Sequence, residues 1–381
     1  MQTLMLNLET VTPLFLAGAN PEEGGELRPA SFRGQMRYWL RAMLGASMDI
    51  AQVREIESRV FGAADQDVGA AKVSLTIQGN VSFGRTFVMH GDKAKPSGHD
   101  YLYYSMKGMG KDEKGQARKD KHYAEPGQAF TLTLRDRVGV RNSASDFTLA
   151  AASLWLLLSL GGLGARSRRT AGSFVVNAVN GQTGSLPSFR LHARTGPELS
   201  DEIQSGLKQV VDKTKAAATQ DFDVLHPSVC KIWVIAPNNL GWDTWLNAVE
   251  SIGTAMRGYR LRHPPDYQSM KDVLTKHSSA AQVERVAFGL PLQFRFSSLP
   301  AGSNSATISG YERRGSPVHL KIAKLASGRY VGVAILFQSQ FLPNGARLKA
   351  KGASVSFPKN YEIIENFIKQ QFPTNWEVPA W

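Results

Sequence analysis

Residues Gly161–Gly172 read GGLGARSRRTAG, with four glycines and three arginines in twelve positions. Glycine permits positive φ and lets a second backbone approach closely. Consecutive free N–H groups in such a turn form a concavity that suits anions. Arg166, Arg168 and Arg169 add planar, permanently charged forks that match phosphate oxygens. The chemistry on offer is capture of a phosphate backbone. A plainer reading fits the same residues, a helix C-cap glycine followed by a solvated basic turn. Nucleotide-cofactor fingerprints are absent. There is no G-x-x-x-x-G-K-[ST], and a G-x-G-x-x-G would need glycine at Ser167 and a preceding strand, whereas this loop follows an apolar helical stretch. No cofactor is expected, and a polymeric phosphate ligand fits better.

The second basic feature is a stripe. Arg33, Arg37 and Arg41 are spaced i, i+4, i+8, which covers about 80° of a helix surface. They flank an apolar face formed by Phe32, Met36, Trp39, Leu40, Met43 and Leu44. Ser31 suits the N-cap of this helix, predicted from Phe32 to about Gly45, and Arg28 precedes it. Stacked like charges repel by a few tenths of a kcal/mol per pair, so a compensating anion is expected, and a phosphate backbone would supply it. Otherwise the stripe is a solvated face whose arginine stems cover the core edge. Residues 85–125 form a third basic segment, in which Tyr101, Tyr103, Tyr104 and Tyr123 lie among lysines. They suit stacking on single-stranded bases, or the segment is a tolerated surface insertion.

Composition agrees with a polyanionic partner. The 381 residues carry 45 Lys+Arg against 32 Asp+Glu, a net charge of +13, which favours nucleic acid over an acidic membrane surface. The single cysteine, Cys230, excludes an internal disulfide or a thiolate metal cluster and fits the reducing cytoplasm. No signal peptide is evident, and the apolar run at Leu149–Leu160 is shorter than the roughly 20 residues a membrane span needs. H-E-x-x-H is absent and no metal site is expected. The eight histidines do not cluster in sequence; His122, in the basic insertion, and His263, after three arginines, are those placed to approach a phosphate.

These features need positioning elements. Strands are predicted at Thr3–Thr12, Lys72–Val81, Gln128–Arg135 and Ser173–Val179, with helices at Phe32–Gly45, Gln52–Phe61 and Asp146–Leu160. The order β, α, β, β, α, β is that of a ferredoxin-like split βαβ unit in an α+β fold. Linker composition over Val179–Ser200 places a domain boundary near residue 185, giving domains 1–185 and 186–381. The second half repeats the order loosely, with strands at Val229–Ala236, Gly289–Phe296, Val318–Leu325 and Tyr330–Phe337 and helices at Trp242–Met256 and Tyr361–Phe372.

Four segments together resemble the RAMP superfamily of CRISPR proteins, and within it subunit one of type III-B Cmr effector complexes. They are TPLFLAGANP…ELRPASFRGQMRYWLRAMLG (Thr12–Gly45), GGLGARSRRTAG (161–172), FGLPLQF (288–294) and ERRGSPVHLKI (312–322). The resemblance implies two ferredoxin-like domains and a non-catalytic subunit that caps the backbone filament near the 3′ end of the guide RNA and helps engage target RNA. It implies guide RNA, target RNA and other Cmr subunits as partners, with no membrane. By motif match, RNA contacts fall on Arg28, Ser31, Arg33, Gly34, Arg37 and Arg41, on Gly162, Gly164, Arg166, Arg168 and Arg169, and on Arg313 and Arg314 in the 312–322 segment. The alternative is a metal-independent guide-RNA processing endoribonuclease of the same superfamily, using His122 or His263 as general acid or base. Exposed arginines normally contribute little to stability, so replacing Arg166, Arg168 and Arg169 together by alanine is expected to weaken RNA retention without unfolding the protein.

Overall fold

The computed structural model describes residues 2–18, 24–63, 70–91, 96–108, 110, 115–137, 144–181, 183–212, 220–261, 264–310, 313–357 and 360–381. Arg262, His263 and Glu312 lie outside this set.

The first half runs β1 (Thr3–Thr10), α1 (Pro29–Leu44), α2 (Ile50–Phe61), β2 (Val73–Gln78), β3 (Arg85–Thr86), α3 (Gly98–Tyr103), β4 (His122–Tyr123), β5 (Ala129–Asp136), α4 (Ala144–Leu160) and β6 (Phe174–Gly181). Its main sheet has the order β2-β5-β1-β6 and is antiparallel throughout. The second half runs α5 (Gly196–Val210), β7 (Cys230–Ile235), α6 (Trp245–Leu261), α7 (Pro264–Thr275), β8 (Ala280–Gln282), β9 (Leu292–Arg295), β10 (Ser305–Ile308), β11 (Val318–Lys324), β12 (Tyr330–Phe337), β13 (Leu348–Ala350), β14 (Ala353–Ser356), α8 (Glu362–Gln371) and β15 (Asn375–Glu377). Its main sheet, β11-β12-β7-β15, is also antiparallel. Counting only main-sheet strands, both halves have the spatial order 2-3-1-4, with a helix after the first strand and another after the third.

Local sequence explains the helix that matters most. All six apolar residues predicted for the inner face of α1 are buried. The helix starts earlier than Ser31 implies. Pro29 occupies the first turn, where its fixed φ is suitable and its missing N–H is not needed, and Arg28 is the N-cap without a side-chain cap. Ser31 therefore sits inside the helix, with its N–H donated to the Arg28 carbonyl at 3.1 Å.

The two sheets share their packing. On β7, Ile232 and Val234 join the core of the first half, while Trp233 and Ile235 face a second core. Burial on both faces is why this strand is continuously apolar rather than alternating. Helix α4 is apolar all round for the same reason. It packs on α1, and Trp155 is in contact with Gly206 of α5.

Part of the basic insertion is packed into the protein rather than laid over its surface. Phe87, Leu102 and Tyr103 are buried, and α3 crosses α6 so closely that a Cβ on Gly98 would lie 2.1 Å from the Glu250 carbonyl. Its tyrosines are mostly occupied. Tyr103 shares a 2.8 Å hydrogen bond with Thr170, the Tyr101 hydroxyl accepts from Arg260 at 2.6 Å, and Tyr123 packs on Phe15. Only Tyr104 is exposed, so the expected tyrosine stacking platform is not presented as a set.

Candidate nucleic-acid interface

The glycine loop leaves the end of α4 and lies against β11 of the other half. Thr170 donates its N–H to the Leu320 carbonyl at 2.8 Å, and Leu320 donates back to Arg168 at 3.3 Å. On its other side Ala165 donates to Phe15, and Gly172 donates to Pro13. Gly164 and Gly172 have φ of 84° and 66°, and a Cβ on either would meet a backbone carbonyl oxygen, at 2.2 Å (Phe15) and 1.9 Å (Leu163) respectively. These two glycines serve close backbone approach, as the sequence suggests, but the approaching backbone is the protein's own.

The three loop arginines point three ways. Arg166 is half-buried, donates to the Leu102 carbonyl at 2.5 Å and lies over the Tyr104 ring. Arg169, also half-buried, donates to the carbonyls of Val318 and Phe288 across the half–half junction. Burial lowers its pKa to about 9, with nearby Arg166 and Arg260 adding to the effect. Arg168 donates to the Ser316 carbonyl at 2.8 Å and lies over the Tyr38 ring of α1. The expectation that the three are freely exposed and neutral to stability is not met: Arg166 and Arg169 donate to backbone carbonyls of other elements, and Arg168 donates to that of Ser316.

Arg168 reaches a buried polar cluster that the spacing of residues did not reveal. The Asp223 carboxylate accepts from the Tyr38 hydroxyl at 2.8 Å and from Ser339 at 2.9 Å, and lies 3.7 Å from Arg168 and 3.9 Å from Arg314. Arg314 also donates to the Phe341 carbonyl. His319 stacks on Tyr38. Burial, then the neighbouring Arg168, Arg169 and Arg314, lower its pKa well below the usual imidazole range, so it is neutral. Burial, then the Asp223 charge, raises the Tyr38 phenol well above its ordinary value.

Above this cluster opens a polar cleft of about 270 Å³. Gly34, Tyr38 and Arg41 of α1 line one side, Gly162, Ser167 and Arg168 of the glycine loop another, and His319 the base. Among the described residues, the N–H groups of Gly162, Ser167 and Arg168 donate to no backbone carbonyl. The first helix and the loop therefore meet at one surface.

The remaining sequence-nominated residues divide. Arg37 and Arg41 both pair with Glu57 of α2 at 2.9 Å, and Arg37 also donates to the Phe61 carbonyl. The anion expected to relieve the arginine stripe is thus internal for two of its three members. Arg33 has no ion pair or side-chain hydrogen bond among the described residues. Arg28 lies 3.8 Å from Glu26, and Arg313 is exposed, with no ion pair among the described residues. His122 does not line the cleft; it lies in the wall of another cavity. Tyr38 was legible in principle, one helical turn after Gly34 on the same face. Asp223 and His319 were not, because only tertiary packing brings them to α1.

Lys321 anchors the start of the loop. Its buried ammonium donates to the Gly161 carbonyl at 2.8 Å, and burial lowers its pKa to about 7. In the unfolded chain a lysine titrates near about 10.4. Between these values the unfolded chain binds the extra proton, so this group makes stability rise with pH from about 7 upward. Buried Cys230, whose thiol is pushed up, acts oppositely once the pH passes about 8.5. Urea unfolding at pH 7.0 and 8.5 is expected to show a rise in wild type relative to Lys321→Met, with a limit of about 1.4 kcal/mol per pH unit. Equal pH dependence in the two proteins would contradict this account.

Comparison with known proteins places the fold. A model of the RAMP superfamily matches residues 7–175. Two relatives from Pyrococcus furiosus are similar in sequence. CRISPR system Cmr subunit Cmr1-1 is 27% identical over 346 residues, covering 88% of each chain. Cmr1-2 is 30% identical over 196 residues, covering 47% of this chain and 97% of the relative. Among solved structures, apo Cmr1 from Pyrococcus furiosus superposes with a TM-score of 0.63 at 23% identity, with all of both chains covered. A chain of a type III-B Cmr-β complex bound to cognate target RNA gives a TM-score of 0.54 at 12% identity, covering 97% of this chain and 98% of that one. Among the described residues no helix is long and apolar enough to cross a membrane. The mixed α/β architecture, the matched first half and the full-length likeness to the Cmr1 relatives together make this chain a member of the RAMP superfamily, in its family of type III-B Cmr subunit-one proteins.

Proposed function

We propose that this chain is a non-catalytic RNA-binding subunit of a cytoplasmic type III-B CRISPR ribonucleoprotein. In this reading it caps the backbone filament near the 3′ end of the guide RNA and helps engage target RNA. The two repeated β-α-β-β-α-β units are then two ferredoxin-like RAMP domains, 1–185 and 186–381, joined through the glycine loop. The observation that carries the reading is the cleft where Gly34 and Arg41 of α1 meet Gly162 and Arg168 of the loop. A basic wall, backbone N–H groups that bind no backbone carbonyl among the described residues, and a small residue at the rim suit a ribose-phosphate chain. Kinship with Cmr subunits, and the likeness to a chain in an RNA-bound Cmr complex, support RNA as that ligand. His319 at the base is held neutral and is a poor general base at neutral pH, which supports a binding role.

Of the thirteen nominated contacts, Gly34, Arg41, Gly162 and Arg168 line the cleft itself, and Arg28, Arg33 and Arg313 supply further positive charge. Arg37, Arg166, Arg169 and Arg314 act chiefly by holding the walls. Ser31 and Gly164 act through backbone. A single strand loses about 0.7 units of salt slope for each phosphate contact removed. Arg41→Ala with Arg168→Ala should therefore flatten the plot of log affinity for single-stranded guide RNA against log salt by about 1.4 units. An unchanged slope in a folded double variant would overturn the cleft as the RNA site. Cleavage of repeat RNA by the purified chain, lost in His122→Ala, would overturn the non-catalytic part.

A further inference from the structure

A second cavity lies on the other side of the glycine loop. Its volume is about 140 Å³, and Phe15, Leu16, Met106 and Ala165 contribute to its apolar lining. That is well below the roughly 300–1,000 Å³ of a pocket for a drug-sized ligand, and close to the roughly 150 Å³ engineered cavity that takes one benzene ring. The walls are fixed in advance. Phe15 is buried against the rings of Phe87, Tyr103 and Tyr123, and its carbonyl accepts the Ala165 N–H at 2.8 Å.

The charged residues around it say what kind of ligand fits. His122 lines the cavity. At the same cavity, Lys119 and Lys121 are exposed and have no ion pair among the described residues. The acidic residue there, Asp120, is already taken by Lys107 at 2.6 Å and by the Gly108 N–H at 2.9 Å. The site therefore combines an apolar slot for one ring with uncompensated positive charge at its edge.

We propose that this cavity receives one unstacked nucleobase of single-stranded RNA, with the flanking phosphates against Lys119 and Lys121. Splayed bases held in apolar or aromatic slots are how single strands are read. The inference rests on the RNA-binding reading above and assigns the basic insertion a part in it, through the cavity between the insertion and the glycine loop rather than through exposed tyrosines.

The test uses the full chain and a fluorescein-labelled single-stranded RNA, with a series in which each nucleotide in turn is abasic. Wild type should lose about tenfold in affinity at one abasic position, the usual consequence of deleting one base-stacking contact. Ala165→Phe, which fills the mouth from an exposed position, should lose the same tenfold with intact RNA and nothing more with that abasic RNA. Ala17→Phe, also exposed at the cavity, repeats the blockade should the first variant fold poorly. If wild type binds RNA but no abasic position weakens it, or if the losses simply multiply, the proposal fails while the RNA-binding reading stands. If RNA affinity is unchanged and the filled variants no longer join partner subunits, the cavity holds a protein side chain and the proposal fails. If wild type binds no RNA alone or in the assembled complex, the RNA-binding reading falls and takes this inference with it.

Discussion

Asp223→Ala is expected to lower stability by about 2–4 kcal/mol, one of the two largest losses predicted for a single substitution in this chain. The buried carboxylate accepts two short hydrogen bonds, from Tyr38 and Ser339, and faces two guanidiniums, Arg168 and Arg314. Removing it takes the acceptor from the Tyr38 and Ser339 hydroxyls and leaves two like charges without their shared anion. Breaking a buried pair from one side costs about 3–5 kcal/mol. The lower range applies here because the arginine side chains remain 34% and 20% exposed, so solvent screens part of the loss. Asp223→Asn keeps the shape and one acceptor oxygen and should lose about half as much. Urea unfolding of the three proteins measures both. The same change should reduce RNA affinity, because Arg168 then loses one of the contacts that hold it at the cleft. If Asp223→Ala stays within about 0.5 kcal/mol of wild type, the range of an ordinary surface substitution, the carboxylate is not what organises this cluster.

How much of this was legible beforehand depends on the range of the interaction. Strand and helix periodicities, and the inner face of α1, follow from spacing along the chain, and Phe32 to Leu44 bury as that spacing requires. The continuous apolar runs of α4 and β7 were also readable, although their reason, burial by the opposite half, was not. The small strands β8, β10, β13, β14 and β15 left little signal. Each has only three or four residues, too few for an alternation to stand out. At the cleft, Gly34, Arg41, Gly162 and Arg168 were visible as glycine and arginine in motifs. Asp223 and His319 were invisible because their meaning lies in partners 185 and 281 residues away in sequence. The compensating acid for the arginine stripe was missed for a simpler reason. Glu57 belongs to the next helix, and sequence spacing cannot say that α2 folds back onto α1.

Gly172→Val carries the other large effect, and its contrast with Gly34→Ala separates the two roles glycine plays here. Gly172 has φ of 66°, and a Cβ there would sit 1.9 Å from the Leu163 carbonyl oxygen. Left-handed backbone costs a non-glycine residue roughly 1–2 kcal/mol, and forcing atoms into a packed site adds roughly 1–3. A loss of about 3 kcal/mol is therefore expected, with the whole loop displaced from β11. Gly164→Val, at φ of 84° and 2.2 Å from the Phe15 carbonyl oxygen, should behave alike. Gly34 is different, lying inside α1 with nothing within 4 Å of where its Cβ would be. Alanine there should stabilise the fold by about 0.5–1 kcal/mol, the usual gain over glycine in a helix. A protein that forgoes this gain at the rim of a basic cleft is explained if a ligand's backbone passes closely over the position. Gly34→Ala should accordingly raise the urea midpoint while weakening guide RNA binding several-fold, two changes of opposite sign in one variant. Should RNA affinity hold while stability rises, nothing approaches Gly34, and the path of the RNA across α1 must be redrawn.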